Sequence, residues 1–154
     1  MRIGKRQKRR IESMQKTIVA ALAVLASACF TGCGDGRPTR VPVAGRVVID
    51  GEPVRFGMIK LSNPDTRAAS GRLDGEGRFQ LTCFEKHDGV IPGTHRVEVA
   101  ATEGIDDRTV RWHAPKKYAD QSTSGIEVTI DEPTDDLVIE LTWSGGKGPF
   151  VERQ

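Results

Sequence analysis

The sequence lacks the features that would indicate several common classes of small protein. It contains three cysteines among 154 residues, and its glycines and prolines follow no period. Three cysteines are too few for a disulfide scaffold, and the aperiodic glycines exclude collagen. No amphipathic helical pattern occurs after residue 34, which excludes a coiled coil. A chain of this length has room for one folded domain.

Basic charge is also missing from most of the chain, although the formal net charge is +2. Residues 1–32 hold seven Lys or Arg and one Glu, whereas residues 33–154 hold sixteen basic and twenty acidic side chains. Neutralising nucleic-acid phosphates requires clustered Lys and Arg. We therefore expect no nucleic-acid partner for the folded part.

The N-terminus has the order of an export signal. A basic stretch is followed by residues 17–34, which carry no charge. The apolar run is shorter than the roughly 20 residues that a membrane-spanning helix needs. We expect a signal peptide over residues 1–32 and a flexible tether over residues 33–42, where Gly and Pro recur.

The segment before Cys33, with Phe30, Thr31 and Gly32, resembles a bacterial lipobox. This resemblance implies cleavage before Cys33 and transfer of a diacylglycerol to its thiol; Cys29 is a second candidate. Several acyl chains on one cysteine hold a protein durably at a membrane. The sequence thus predicts an exported protein that is membrane-anchored in the periplasm or cell envelope.

Beyond the tether, short segments alternate apolar and polar residues, a pattern typical of β-strands. Asp50-Gly51 predicts a hairpin turn between a strand over residues 43–49 and a return strand over 54–62. Asp74 to Gly77 predicts a second hairpin. Further strands are expected over residues 94–101, 126–130 and 137–143. Seven such strands predict an all-β fold, a seven-stranded antiparallel β-sandwich.

Two segments have weaker patterns. Residues 102–124 are predicted to be a long inserted loop with one turn of helix, and residues 144–154 a disordered tail. The domain itself is expected to span residues 43–143.

Three stretches of this domain resemble a known family: Val43 to Val54, Ser70 to Leu81, and Pro92 to Val99. They are similar to the carboxypeptidase regulatory-like, or transthyretin-like, β-sandwich domains. Two later segments, Pro115 to Asp120 and Thr123 to Ile126, are similar to the form seen in small planctomycete lipoproteins. The resemblance covers residues 43 to 143 and rests on turn glycines and core apolar residues. It implies an extracytoplasmic accessory domain, most of whose relatives have no assigned biochemical activity.

The residues that could carry chemistry lack a suitable spacing. His87, His95 and His113 form no pair with the spacing of a zinc site. Cys83 shares the alternation of Phe79 and Leu81, so its thiol is predicted to face the core and to be unreactive. We therefore expect no enzyme activity, no metal site and no cofactor.

Trp112, His113 and Tyr118 are the candidate ligand-binding residues, because aromatic side chains in the 102–124 segment could stack on sugar rings. The first functional hypothesis is a monomeric, non-catalytic, lipid-anchored module for protein interaction, adhesion or scaffolding in the envelope. The alternative is a carbohydrate-binding module that uses this segment. The corresponding partners are the membrane, reached through the lipid anchor, and envelope proteins or polysaccharide.

Overall fold

The computed structural model describes residues 36–153, so the predicted signal peptide, Cys29 and Cys33 lie outside the described residues. The described chain is all-β, with eleven strands instead of the seven expected. The strands are β1 (Val43–Ile49), β2 (Glu52–Pro53), β3 (Met58–Ser62), β4 (Ala69–Arg72), β5 (Arg78–Gln80), β6 (Gly93–Ala100), β7 (Thr102–Asp106), β8 (Thr109–Trp112), β9 (Glu127–Ile130), β10 (Thr134–Leu141) and β11 (Phe150–Arg153). A 3₁₀ turn (Lys116–Ala119) and a short helix α1 (Gln121–Ser124) precede β9.

The strands form three sheets. The first has the order β10-β1-β2, with β5 also paired to β1, and the second has the order β4-β3-β6-β9. The third is a three-stranded sheet, β11-β8-β7. Inward-facing side chains of both four-stranded sheets belong to one buried hydrophobic cluster. Its fully buried members include Val47 from β1, Ile59 and Leu61 from β3, Val97 from β6 and Ile139 from β10.

The pairing of β1 with β10 is parallel, so the expectation of a wholly antiparallel fold is wrong at this position. The two strands are separated by more than eighty residues, which contain β2 to β9, and such a long connection permits parallel pairing. The pairing is close at Gly45, where a Cβ atom would lie 2.0 Å from the Leu137 carbonyl oxygen. A side chain at this position would push the two backbones apart.

Both predicted turns form, but the strands after them change sheets. Asp50 and Gly51 have φ of 49° and 88°, as a two-residue hairpin turn requires. The return strand pairs with β1 only through β2, and the chain then joins the second sheet as β3. At the second turn, Asp74 N–H donates to the Arg78 carbonyl oxygen at 3.0 Å, yet β4 pairs with β3 and β5 with β1. These changes divide the predicted strands into shorter segments.

The segments expected to be irregular contain the third sheet. Residues 102–112 form the β7–β8 hairpin, not a loop, and the tail 144–154 contains β11. The sequence pattern does not predict β7 and β8, because neither strand has a fully buried face and apolar residues therefore do not alternate clearly with polar ones. β11 is held by the Phe150 ring, which stacks at 6.2 Å on Trp112 and meets Trp143 edge-on at 6.2 Å.

The predicted tether is ordered at its C-terminal end. Val41 N–H donates to the Val90 carbonyl at 2.9 Å, and Val90 N–H returns a bond of 3.0 Å. The Arg40 guanidinium pairs with Asp88 at 3.1 Å. The folded domain therefore begins before residue 43, and the chain enters it at the end where β1 starts.

Cys83 is buried, as the alternation predicts, but its surroundings are not purely apolar. Asp88 accepts the Cys83 backbone N–H at 2.7 Å, and the Cys83 thiol lies 3.7 Å from the Arg67 carbonyl oxygen. Burial and the Asp88 charge raise the pKa of the Cys83 thiol, against the opposing effect of Arg67 and Arg40. A neutral thiol is a poor nucleophile, so the geometry supports an unreactive cysteine.

Asp88 organises the loop after Cys83. Desolvation raises the pKa of Asp88, but N–H groups from Cys83, Glu85 and Phe84, together with Arg40, hold it below its ordinary value. A carboxylate with several backbone donors is stabilised in its charged form. The loop therefore depends on an ionised Asp88.

We expect Gly45→Ala to destabilise the domain by about 3 kcal/mol, the upper end of the range for overpacking. The added methyl would meet the Leu137 carbonyl, which belongs to the backbone and cannot rotate away. Gly75→Ala is the control, because nothing lies within 4 Å of its Cβ position. Chemical denaturation measures both variants, and equal effects would contradict the close pairing of β1 and β10.

We expect Asp88→Asn to destabilise the domain at neutral pH, with a difference from wild type that disappears toward pH 2. The pKa of Asp88 is lowered on folding, so its ionised form stabilises the folded state above the unfolded pKa of about 3.9. This contribution is lost as pH falls through the folded pKa. Denaturation at several pH values measures it. A pH-independent difference would show that the charge of Asp88 is not the cause.

Candidate functional site

Trp112 ends β8 and lies on one face of the three-stranded sheet. Directly opposite residues of antiparallel strands share a face, which places Trp112 beside Phe150 and on the same face as Glu152. Trp112 Nε1 donates to Glu152 at 3.1 Å, and the Lys116 ammonium lies 5.3 Å from the indole centroid. Lys116 also pairs with Glu152. The ring of Trp112 is therefore half-buried by the C-terminal strand and not presented as an open platform.

His113 lies on the opposite face of the same sheet, because it follows Trp112 in the alternation. Its Nε2 is 3.0 Å from a Glu103 carboxylate oxygen, and Arg111 donates to the same oxygen at 3.1 Å. These two bonds lower the pKa of Glu103 below its ordinary value. The Phe56 ring packs against His113 with centroids 5.8 Å apart. His113 thus belongs to a charged and aromatic surface and not to the Trp112 cluster.

Tyr118 is a core residue of the 3₁₀ turn, with 4% of its surface exposed. Its hydroxyl accepts the Thr142 N–H at 3.1 Å, and it is 3.4 Å from the Thr142 carbonyl oxygen. A buried tyrosine commonly places its hydroxyl on a backbone partner in this way. The structure therefore does not bring Trp112, His113 and Tyr118 onto one surface that could stack on a sugar.

The three histidines lie in three separate environments. His87 is exposed in the loop that Asp88 organises, with φ of 62°. His95 is fully buried in β6; its Nε2 is 2.9 Å from the Ile91 carbonyl oxygen, and its Nδ1 has no partner. His113 binds Glu103. Among residues 36–153, no three His, Cys, Asp or Glu side chains are grouped as a metal site would require.

Exposed apolar side chains and a cleft lie together at the end of the domain where β1 and β10 finish. Because β1 and β10 are parallel, Asp50 and Trp143 follow them at the same end. His113, which directly follows β8, lines a cleft with Asp50 and Trp143, so the three-stranded sheet lies at this end too. Phe56 packs on His113 and therefore lies there as well. We call this region the distal end, because it is opposite the start of β1, where the predicted tether enters; we call that opposite end the tether end.

Five large apolar side chains are exposed in the part of the chain that the structure describes, and four of them belong to the distal end. They are Phe56 (40%), Met58 (44%), Ile105 (46%) and Val151 (56%), whereas Val138 (40%) lies within β10. Met58 pairs with Ala100, where β6 leaves for the third sheet. The exposed apolar surface is thus concentrated far from the tether.

The distal end also contains a cleft of about 350 Å³. Its walls combine apolar or aromatic side chains with carboxylates and cations, namely Ile49, Asp50, Glu52, Pro53, Val54, Arg55, His113, Trp143, Gly148 and Pro149. The Trp143 backbone N–H donates to the Asp50 carboxylate at 3.2 Å. A Cβ at Gly148 would lie 2.0 Å from indole atoms of Trp143, so the Gly148 backbone packs directly against the ring. The indole is therefore held in one place between the turn and β11.

Sequence reasoning missed this cleft because its residues come from segments far apart in the chain. The alternation of Leu137, Ile139 and Leu141 predicts a core position for Trp143. In the structure Trp143 is half-buried, and it also lines the cleft. The rim residues Glu52 and Arg55 belong to the change of sheets after the first turn, which the sequence pattern does not indicate.

No helix among the described residues is long and apolar enough to cross a membrane. In comparisons of the whole sequence and structure, no protein-family model, no curated protein and no solved structure matches this chain.

Proposed function

We propose that this chain is an exported, lipid-anchored and non-catalytic β-sandwich that binds an envelope protein through its distal end. The two four-stranded sheets, which share one buried cluster, are in this proposal the layers of a sandwich of the transthyretin-like type. Cys33 carries the lipid, and residues 34 to about 39 form the tether. The observation that carries the proposal is the concentration of exposed apolar side chains at the distal end.

The orientation of β1 supports this arrangement. The tether enters beside the start of β1, and the seven residues of β1 cover about 20 Å at roughly 3.3 Å per residue. A membrane anchor on the tether would leave the distal end facing away from the bilayer. Apolar side chains in that position are reachable by another protein.

The chemistry of the distal surface fits a protein partner. Phe56 and Val151 lie on either side of the Glu103, Arg111 and His113 network, on one face of the third sheet. Exposed apolar residues around a polar network, with an arginine among them, are typical of protein interfaces. Scattered single apolar residues would need no such explanation.

The alternative hypothesis, a carbohydrate-binding role for the 102–124 segment, has less support. It depends on Trp112 and Tyr118 as stacking surfaces, and these side chains pack against Phe150 and the core.

The anchor is tested by Cys33→Ser in the full-length chain, with Cys29→Ser as the matched control. We expect Cys33→Ser to release the protein from the membrane fraction and to abolish labelling by a fatty-acid analogue, because it removes the acylated thiol. Cys29→Ser should leave both unchanged. Release by Cys29→Ser alone would show that the other cysteine is processed.

The interaction surface is tested by photo-crosslinking in the source cells. A photoreactive amino acid at Val151 or Ile105 should give discrete adducts with an envelope protein, whereas the same residue at Val138 should give none. All three side chains are exposed, so a difference in crosslinking would reflect their positions on the domain. Adding Phe56→Asp should reduce the Val151 adduct at least fivefold. Equal adducts from Val138 and Val151, or none from the distal end, would contradict the proposal.

A further inference from the structure

We propose that the distal cleft beside Trp143 is a binding site for a neutral saccharide, a second ligand class beyond the proposed protein partner. Its volume of about 350 Å³ is at the lower end of the range for small-molecule sites. The site would take one or two sugar units of a longer chain.

The apolar part of the cleft suits the C–H face of a sugar ring. The Trp143 indole lies near Pro53 and Pro149 in the lining, and these groups offer carbon-rich surface without hydrogen-bonding demands. The Asp50 bond, the close Gly148 backbone and the Phe150 ring fix the position of Trp143 and its indole. A rigid platform loses little side-chain entropy when a ligand binds.

The polar part of the cleft favours a neutral ligand over an anionic one. Asp50 and Glu52 offer carboxylate acceptors, while Arg55 offers guanidinium donors at the same rim. The two carboxylates outnumber the one guanidinium, so an anionic ligand meets net repulsion at the rim. Hydroxyl groups both donate and accept, so a polyhydroxylated neutral ligand can bond to both sets.

Two of these groups have unused hydrogen-bonding capacity. Within residues 36–153, neither Glu52 nor Arg55 has a side-chain hydrogen bond or an ion pair, and both are exposed at the rim. By contrast, the charged residues of the neighbouring sheet, such as Glu103 and Glu152, are already bonded within the protein. Glu52 and Arg55 can therefore bond to a ligand in the cleft without breaking an existing contact.

The test uses the full-length protein in detergent, carrying Trp112→Phe so that Trp143 is the single tryptophan. Maltotriose, cellotriose and chitotriose are the probes, with trigalacturonate as a charged comparison. We expect a saturable change in Trp143 fluorescence with at least one neutral trisaccharide and at least tenfold weaker binding of trigalacturonate.

Glu52→Ala and Arg55→Ala should each weaken the binding at least tenfold, because each removes a rim hydrogen bond. Both positions are exposed, so the fold should be retained, as circular dichroism would verify. Glu132→Ala and Arg108→Ala, exposed acidic and basic positions outside the cleft lining, are matched controls and should bind as the parent does. The inference is overturned if no neutral trisaccharide shifts Trp143, if trigalacturonate binds best, or if the rim variants bind as the controls do. Loss of saccharide binding with intact crosslinking from Val151 would leave the protein-interaction proposal standing.

Discussion

The parallel pairing of β1 with β10 is the constraint on which the rest of the domain depends. β1 is bonded on one side to β10 and on the other to β2 and β5, so the first sheet is built around it. This close pairing requires glycine at position 45, since any side chain there would meet the Leu137 backbone. Because the two strands run in the same direction, the turn at Asp50 and the segment after Leu141 emerge together. The contact between Asp50 and Trp143, and with it the distal cleft, follows from that direction.

The two ends of the domain are stabilised by different kinds of interaction. At the tether end, a carboxylate inside a loop collects backbone N–H groups and an arginine, which fixes the loop over Cys83. At the distal end, aromatic packing between Trp112, Phe150 and Trp143 holds the last strand against the hairpin. Charge-assisted bonds to a carboxylate are lost on protonation, whereas aromatic packing does not titrate. Acidification below the lowered pKa of Asp88 should therefore loosen the loop over Cys83.

The sequence predicts the all-β class and the positions of most core residues, because one face of each main strand is buried and alternation records it. Val47, Leu61, Val97 and Ile139 are such positions, and Cys83 follows the same pattern. The alternation of apolar and polar residues does not indicate which sheet a strand joins. It therefore does not predict the change of sheets after Asp50-Gly51. The third sheet is not predicted for a related reason: side chains on both faces of β8, such as Arg111 and Trp112, are half-buried, and no clear alternation results. The sequence indicates Trp112, His113 and Tyr118 only as single residues. It does not indicate the side chains that surround the site, because these come from β11 and from the segment around the first turn.

The C-terminal strand shows why the distal features belong together. β11 adds a third strand to a two-stranded hairpin, and an isolated hairpin is only marginally stable in water. Phe150 covers Trp112 and meets the edge of Trp143, while Glu152 bonds to both Trp112 and Lys116. The same strand therefore orders the hairpin that exposes Ile105, and the residues directly before it, Gly148 and Pro149, line the cleft beside Trp143. A partner that displaced β11 would disturb the apolar surface and the cleft at once, so the two proposed ligands are expected to influence each other's binding.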